Sequence, residues 1–284
     1  MKKFGDRRDG KKVRDIKPLN IIMAHIKPNR CDSDVYINQT IDVTNLVKYV
    51  EKRNEKVKDK NERITYFHAF SIAIAKVIYN RPLLNRFIAN KTFYDRNNVS
   101  ISYVAKVAFD DKAEELMSVI KVGEDWDIDK MRDTLRKQVE KTRSNSGGNT
   151  DGLIGKIGKM PKFIVAIIVA IFKFLDRHDM VPQDLTKDLL YYSSVIISNL
   201  GSIGCGSIYH NLTDFGTNSI LMTIGEIKEV KEGKETKYLC DFGINLDERI
   251  ADGFYFVKSV KLFEYILQNP KLLEGTANEK IEIK

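Results

Sequence analysis

Hydrophobic and polar residues change period several times along the chain, and each change marks an element. Val35, Ile37, Ile41 and Val43 share one face of an alternating segment, which predicts a strand. Thr44 is placed to cap a helix that continues to about Glu55, and Lys56 to Glu62 is a charged loop. Phe67, Phe70, Ile74, Val77 and Ile78 recur at helical spacing until Arg81-Pro82 stops the helix. Val99, Ile101, Tyr103, Ala105, Val107 and Phe109 then alternate strictly, the clearest strand in the chain, and Leu116 to Val122 is predicted as its neighbour. Ile128, Met131, Leu135 and Val139 mark an amphipathic helix, and Arg143 to Gly152 is a polar, glycine-rich loop.

The second half begins with an uninterrupted apolar run, Phe163 to Phe172, extended past Lys173 by Phe174 and Leu175. A membrane-spanning helix needs about 20 apolar residues, so this run predicts a buried or subunit-facing helix. Peripheral membrane contact through 163–175 is the alternative; Lys156, Lys159 and Lys162 precede the run. Strands follow: Val195 to Ser198 leads into a glycine-rich segment, and Ser219 to Ile227 and Lys237 to Leu246 are joined across a Glu232-Gly233-Lys234 hairpin loop. A last helix runs from about Gly253 to Gln268. Interspersed strands and helices, with neighbouring antiparallel strands near the end, give an α/β class with a mixed sheet to which both halves contribute.

Composition narrows this picture. With 284 residues, 43% of them hydrophobic and 30% charged, the chain can bury a substantial core. Cys31, Cys205 and Cys240 are widely spaced and form no zinc pattern, which fits a reducing, cytoplasmic setting. Met1 to Arg8 is followed by no apolar stretch of secretory type. The net charge of +8 is spread along the chain rather than gathered in a block. It suits a solvated surface or attraction to an anionic cofactor. No motif or basic–aromatic interleaving points to nucleic acid.

Two segments carry chemistry. One is Ile197-Ser198-Asn199-Leu200-Gly201-Ser202-Ile203-Gly204, followed by Ser219 to Gly225; the other is Asp247-Glu248-Arg249-Ile250-Ala251-Asp252-Gly253, followed by Leu262-Phe263 and Asn269-Pro270-Lys271-Leu272-Leu273. In spacing and residue type they resemble the catalytic domain of dihydrolipoyl acyltransferases of 2-oxoacid dehydrogenase complexes, which has the chloramphenicol acetyltransferase-like fold. Thr40 to Thr44, the Phe67 helix and the Val99 strand fall in matching order, so the likeness spans roughly residues 15–274. The resemblance implies a homotrimer, α/β with a mixed sheet flanked by helices, whose active sites lie between subunits. It implies acyl transfer from coenzyme A or a related thioester, as co-substrate, to a small acceptor. By position, Ser198 becomes the oxyanion donor and Asp252 the carboxylate that holds the motif. A preplaced donor of this kind is worth about 3–4 kcal/mol of barrier.

Glu248 stands where the family carries its catalytic histidine. Three readings remain open: a Glu248 base with a raised pKa, a base supplied by another residue such as His210, or a silent motif in which Glu248 forms a salt bridge. The remaining histidines, His25, His68 and His178, stand alone, and His68 reads as structural. Arg30 lies near Asp32 and Asp34 and is expected to form an ion pair with Asp252. Asp111-Lys112-Ala113 echoes a lipoylation site but falls within the catalytic-like region, so no lipoyl group is expected on this chain. The expected organisation is a basic N-terminal arm over 1–14, a catalytic-like domain over 15–274 with an apolar helical insertion at about 153–182, and a polar tail over 275–284. The polar tail favours a free trimer over a cage. The alternative to an enzyme is a catalytically inactive trimer that binds a ligand or serves as a scaffold.

Overall fold

Alternation and helical spacing are both realised where the sequence places them. The structure, a computed structural model, describes residues 3–106, 115–144, 155–186 and 189–283. Its main sheet has six strands in the order β2-β9-β8-β7-β5-β6. These are β2 (Asp34–Asp42), β5 (Val99–Lys106), β6 (Glu115–Val122), β7 (Val195–Asn199), β8 (Ile220–Glu232) and β9 (Glu235–Asp247). Strand β7 runs parallel to β5 and β8, and the other pairings are antiparallel. The sheet is therefore mixed and draws on both halves of the chain, as expected. Val107 and Phe109 of the predicted strand, the Asp111-Lys112-Ala113 echo, and residues 145–152 of the predicted loop lie outside the described residues.

Four helices cover one face: α2 (Thr44–Asn54), α3 (Tyr66–Asn80), α4 (Ile128–Ser144) and α6 (Gly253–Gln268). Val195 and Ile197 of β7, Met222 and Ile224 of β8, and Phe242, Ile244 and Leu246 of β9 point into a single core with these helices. Phe242 ties the layers together, meeting Phe70 of α3 and Phe263 of α6 edge-on at ring-centroid distances of 5.3 and 5.1 Å. Local signals fix the helix starts. Thr65 and His68 form a reciprocal cap at the head of α3, and burial pulls the His68 ring down to about 4, with Arg132 adding to the shift. His68 is thus structural. Thr44 does not cap α2 with its side chain. Its hydroxyl instead accepts from the Tyr238 N–H, which joins the helix start to β9.

Both termini are more integrated than the sequence suggests. Gly10–Lys12 forms β1, which pairs with β4 (Thr92–Arg96), itself paired with β3 (Arg86–Ala89). Arg7 is buried, donating to the Asp176 carbonyl and to Asp9. Arg7 and Gly10–Lys12 are therefore held against the body of the protein. At the other end Ala277 is fully buried, and the buried Lys76 ammonium donates to the carbonyls of Gly275 and Thr276 at 2.9 and 2.7 Å. The polar tail is docked because its backbone satisfies a charge that α3 carries into the core.

Truncation of the Phe242 ring, Phe242→Ala, is expected to cost about 3–5 kcal/mol. A urea unfolding curve checks this through a lower midpoint at unchanged slope.

Candidate functional site

Side-chain parity divides the sheet. On the face opposite the helices lie Ile196 and Leu221, packed with Leu190 and Leu212, and on the same side Ser198, Thr223, Gly243, Asn245 and Asp247. Residues 205–212 cross this face as a strap. The Glu226 N–H donates to the Cys205 carbonyl, the Thr223 hydroxyl bonds both the N–H and the carbonyl of Ile208, and the His210 N–H donates to Asn245 Oδ1. The Leu212 N–H then donates to Asp34 on β2. The strap lies this close because two strand positions lack a side chain. A Cβ on Gly243 would stand 2.4 Å from the Ile208 carbonyl oxygen, and one on Gly225 would stand 2.7 Å from the Ser207 nitrogen.

Ser198 sits half-buried near the C-terminal end of β7, in register with Thr223, which is in turn paired with Gly243. Among the described residues its hydroxyl has no hydrogen-bond partner, whereas the adjacent Thr223 hydroxyl is fully engaged. Ser198 is therefore free to donate to an incoming group. Gly201, two residues past the end of β7, lies against the backbone of Gly225 and keeps the turn tight.

The second motif is built at the far end of β9. Asp247 and Arg249 form a buried, two-pronged ion pair, with Nε to Oδ1 at 2.8 Å and Nη2 to Oδ2 at 2.7 Å. The Arg249 N–H also donates to Asp247, and Arg249 Nη1 donates to the Lys27 carbonyl at 2.7 Å, reaching the end of α1 (Pro18–Ile26). Glu248 projects away from this pair and is half-exposed. Lys27 Nζ donates to its carboxylate, and its N–H donates to the Ser33 carbonyl. Asp252 caps α6, accepting from the Tyr255 N–H at 2.8 Å.

Arg30 and Asp252 do not pair within the chain. The Arg30 guanidinium is buried and donates to the carbonyls of Ile88 and Thr213, while its N–H donates to Asp214. Asp252 is committed to the helix start. The arginine that orders the motif loop is Arg249, with Asp247 as its partner. The nearby carboxyl of Asp34 is pushed up to about 6, chiefly by burial, with Asp247 and Asp214 adding repulsion against the stabilising Leu212 N–H and Tyr36 hydroxyl. Sequence reasoning placed Asp34 in a cluster with Arg30 and Asp32 but passed over Lys27 and the strap. Gly225 and Gly243, isolated within otherwise bulky strands, were the available signal for the strap; nothing local pointed to Lys27.

The structure does not bring Ser198 and Glu248 together. Glu248 lies five positions along β9 from Gly243, the residue level with Ser198. That is about 17 Å along the strands and about 10 Å across them. His210, whose N–H bonds Asn245 two positions along β9 from Gly243, makes no hydrogen bond to Ser198. It is exposed, with Nδ1 3.2 Å from the Asn211 carbonyl oxygen.

Comparison with known proteins agrees with this architecture. Residues 29–152 match the family model of the 2-oxoacid dehydrogenases acyltransferase (catalytic domain). No curated protein matches the sequence. Among solved structures, a probable dihydrolipoamide acetyltransferase from Listeria monocytogenes is 17% identical, with a TM-score of 0.58 over 92% of this chain and 95% of that one. Azotobacter vinelandii dihydrolipoamide acetyltransferase, whose structure concerns the role of a serine, a histidine and an asparagine in its catalytic mechanism, is 13% identical, with a TM-score of 0.59 over 93% and 94% of the two chains. A truncated catalytic core of the 2-oxoacid dehydrogenase complex from Thermoplasma acidophilum is 13% identical, with a TM-score of 0.56 over 92% and 99%. The resemblance read from the sequence is thus shown: the chain has the fold of these acyltransferase cores.

Two measurements test the electrostatics of this region. Arg249→Leu leaves Asp247 charged and buried, so it is expected to lower stability by about 3–5 kcal/mol in urea, and adding Asp247→Leu is expected to restore most of the loss. For Asp34, the folded chain holds its proton more tightly than the unfolded chain. The stability this contributes is full below about pH 4 and is lost as pH rises through about 6. Melting curves of Asp34→Asn and wild type are therefore expected to coincide near pH 4, with the variant melting higher at pH 7.

Proposed function

We propose that this chain is an acyl-transferring protein whose site forms between subunits of a homotrimer. The observation that carries this reading is the Ser198 hydroxyl, unpartnered among the described residues and open on the sheet face, in a chain with the acyltransferase-core fold. Acyl transfer from a thioester passes through a tetrahedral oxyanion. A hydroxyl held at a rigid strand end donates to that oxygen without reorganising. The separation of Ser198 from the Asp247–Gly253 loop within one chain supports assembly across an interface, where one subunit supplies the serine and its neighbour the motif loop. Exposed Tyr36, Ile208 and Tyr209 on the strap side, and exposed Leu19, Ile22 and Ile26 along α1, provide apolar surface for such contacts.

In the working cycle, Ser198 donates to the carbonyl oxygen of the thioester as the acceptor attacks, the acceptor's proton passes to a base, and the tetrahedral intermediate collapses by breaking the C–S bond, the departing thiolate taking up that proton. The Azotobacter protein has a histidine among its catalytic residues. Here that motif position holds Glu248, and its carboxylate is already paired with Lys27. Proton abstraction by Glu248 requires that pair to open when the acceptor binds. The substrate is a coenzyme A or related thioester and the acceptor a small nucleophile. The setting is cytoplasmic, with His210 as the second base candidate on the same sheet face as Ser198.

The Lys27–Glu248 pair also favours a second reading, in which the trimer binds a thioester or related ligand without turning it over. Thiol release from a panel of acyl-coenzyme A esters, with and without amine, hydroxyl and thiol acceptors, separates the two. The enzyme reading predicts turnover that Ser198→Ala lowers about 10²–10³-fold in kcat. Absence of turnover in wild type, with activity appearing in Glu248→His, establishes the binding reading. Absence of both turnover and any thermal shift with coenzyme A overturns the thioester assignment altogether.

A further inference from the structure

The apolar run is neither buried within the chain nor long enough to span a bilayer. It forms α5 (Lys162–Arg177), 16 residues or about 24 Å long. No helix among the described residues is long and apolar enough to cross a membrane. Among the described residues of the single chain only one side of α5 is packed, so of the two expectations, a buried or a subunit-facing helix, burial within the chain is not what is seen. Phe172 meets Phe215 at 5.3 Å between ring centroids, and Ile164, Val165, Ile168 and Leu175 are half-buried against the body. Phe163, Ile167, Ile171 and Phe174 are 67, 56, 54 and 58% exposed. At about 100° per residue these four and Ala170 fall within an arc of about 100° that runs the length of the helix.

Charge around this stripe has one sign. Lys162, Lys173 and Arg177 occupy the flank next to the apolar arc, and exposed Lys156 and Lys159 lie in the lead-in, beside exposed Met160. The one acid on α5, Asp176, is turned inward, where it accepts from the Tyr192 hydroxyl at 2.7 Å and the Gly216 N–H at 3.2 Å. The inward side is thus anchored to the body by the rings and by Asp176, while the outward side presents large apolar groups bordered by cations. A helix of this pattern lies in the plane of a lipid interface, its apolar stripe among the acyl chains and its basic side chains reaching the headgroups.

We infer that α5 is a docking surface for anionic lipid, holding the protein flat against a negatively charged membrane. Charge complementarity favours this occupant over pairing of α5 with the α5 of a second copy. The flank is uniformly basic and the chain carries a net +8, so two such helices brought together repel, whereas an anionic surface attracts both the flank and the protein behind it.

The test uses the purified full chain and vesicles of phosphatidylcholine, alone or with three parts in ten phosphatidylglycerol. Wild type is expected to co-sediment with the anionic vesicles and not with the neutral ones, and to be released by raised salt. Ile167→Glu with Phe174→Glu, both at exposed positions, is expected to abolish sedimentation while leaving the melting temperature unchanged. Lys159→Gln with Lys162→Gln and Lys173→Gln is expected to weaken it about tenfold or more. Failure of wild type to sediment, equal binding to neutral vesicles, or undiminished binding of the Ile167→Glu/Phe174→Glu variant overturns the inference. So does loss of oligomeric mass in that variant, which assigns the helix to a subunit contact.

Discussion

The Asp247–Arg249 pair is the constraint on which the second half of the site depends. It closes the end of β9, turns the chain toward α6 and, through the Lys27 carbonyl, holds the end of α1 against the motif loop. Buried charges of this kind add little net stability compared with apolar packing, but they fix one arrangement, since any other leaves a charge unpaired in the core. Glu248 inherits its position from this pair. With Asp247 and Arg249 committed to each other, the residue between them is directed outward, where it meets Lys27.

The fold was legible because its signals are periodic and local. The alternation from Val99, the hairpin at Glu232-Gly233-Lys234 and the Gly253–Gln268 helix all appear where the spacing puts them. Asp252 at a helix start was equally readable as a cap. What was not legible depends on partners distant in sequence. Within the chain Arg30 bonds Ile88, Thr213 and Asp214, and Lys27 reaches Glu248 across 221 positions. The apolar run was read correctly as a helix. Whether it is buried in the chain, faces a subunit or meets a membrane was left open, because hydrophobicity records the tendency to leave water and not the surface that is available to receive it.

The strap and the free serine lie on the same face of the sheet. Gly225 and Gly243 let residues 205–212 lie directly on β8 and β9, and Thr223 spends its hydroxyl fastening them. Ser198, one strand away, is left unengaged by any described residue. The helix-covered face is packed tight, so chemistry is confined to the other side, and there the serine and the motif loop stand at different ends. On the proposed reading these are two half-sites, which a second copy of the chain completes.

Sedimentation equilibrium of the purified chain tests that requirement most directly. The account predicts a mass near 98 kDa, three times the 32.6 kDa chain. A species that remains at 32.6 kDa at all accessible concentrations contradicts it, because Ser198 and the Asp247–Gly253 loop cannot then share a site.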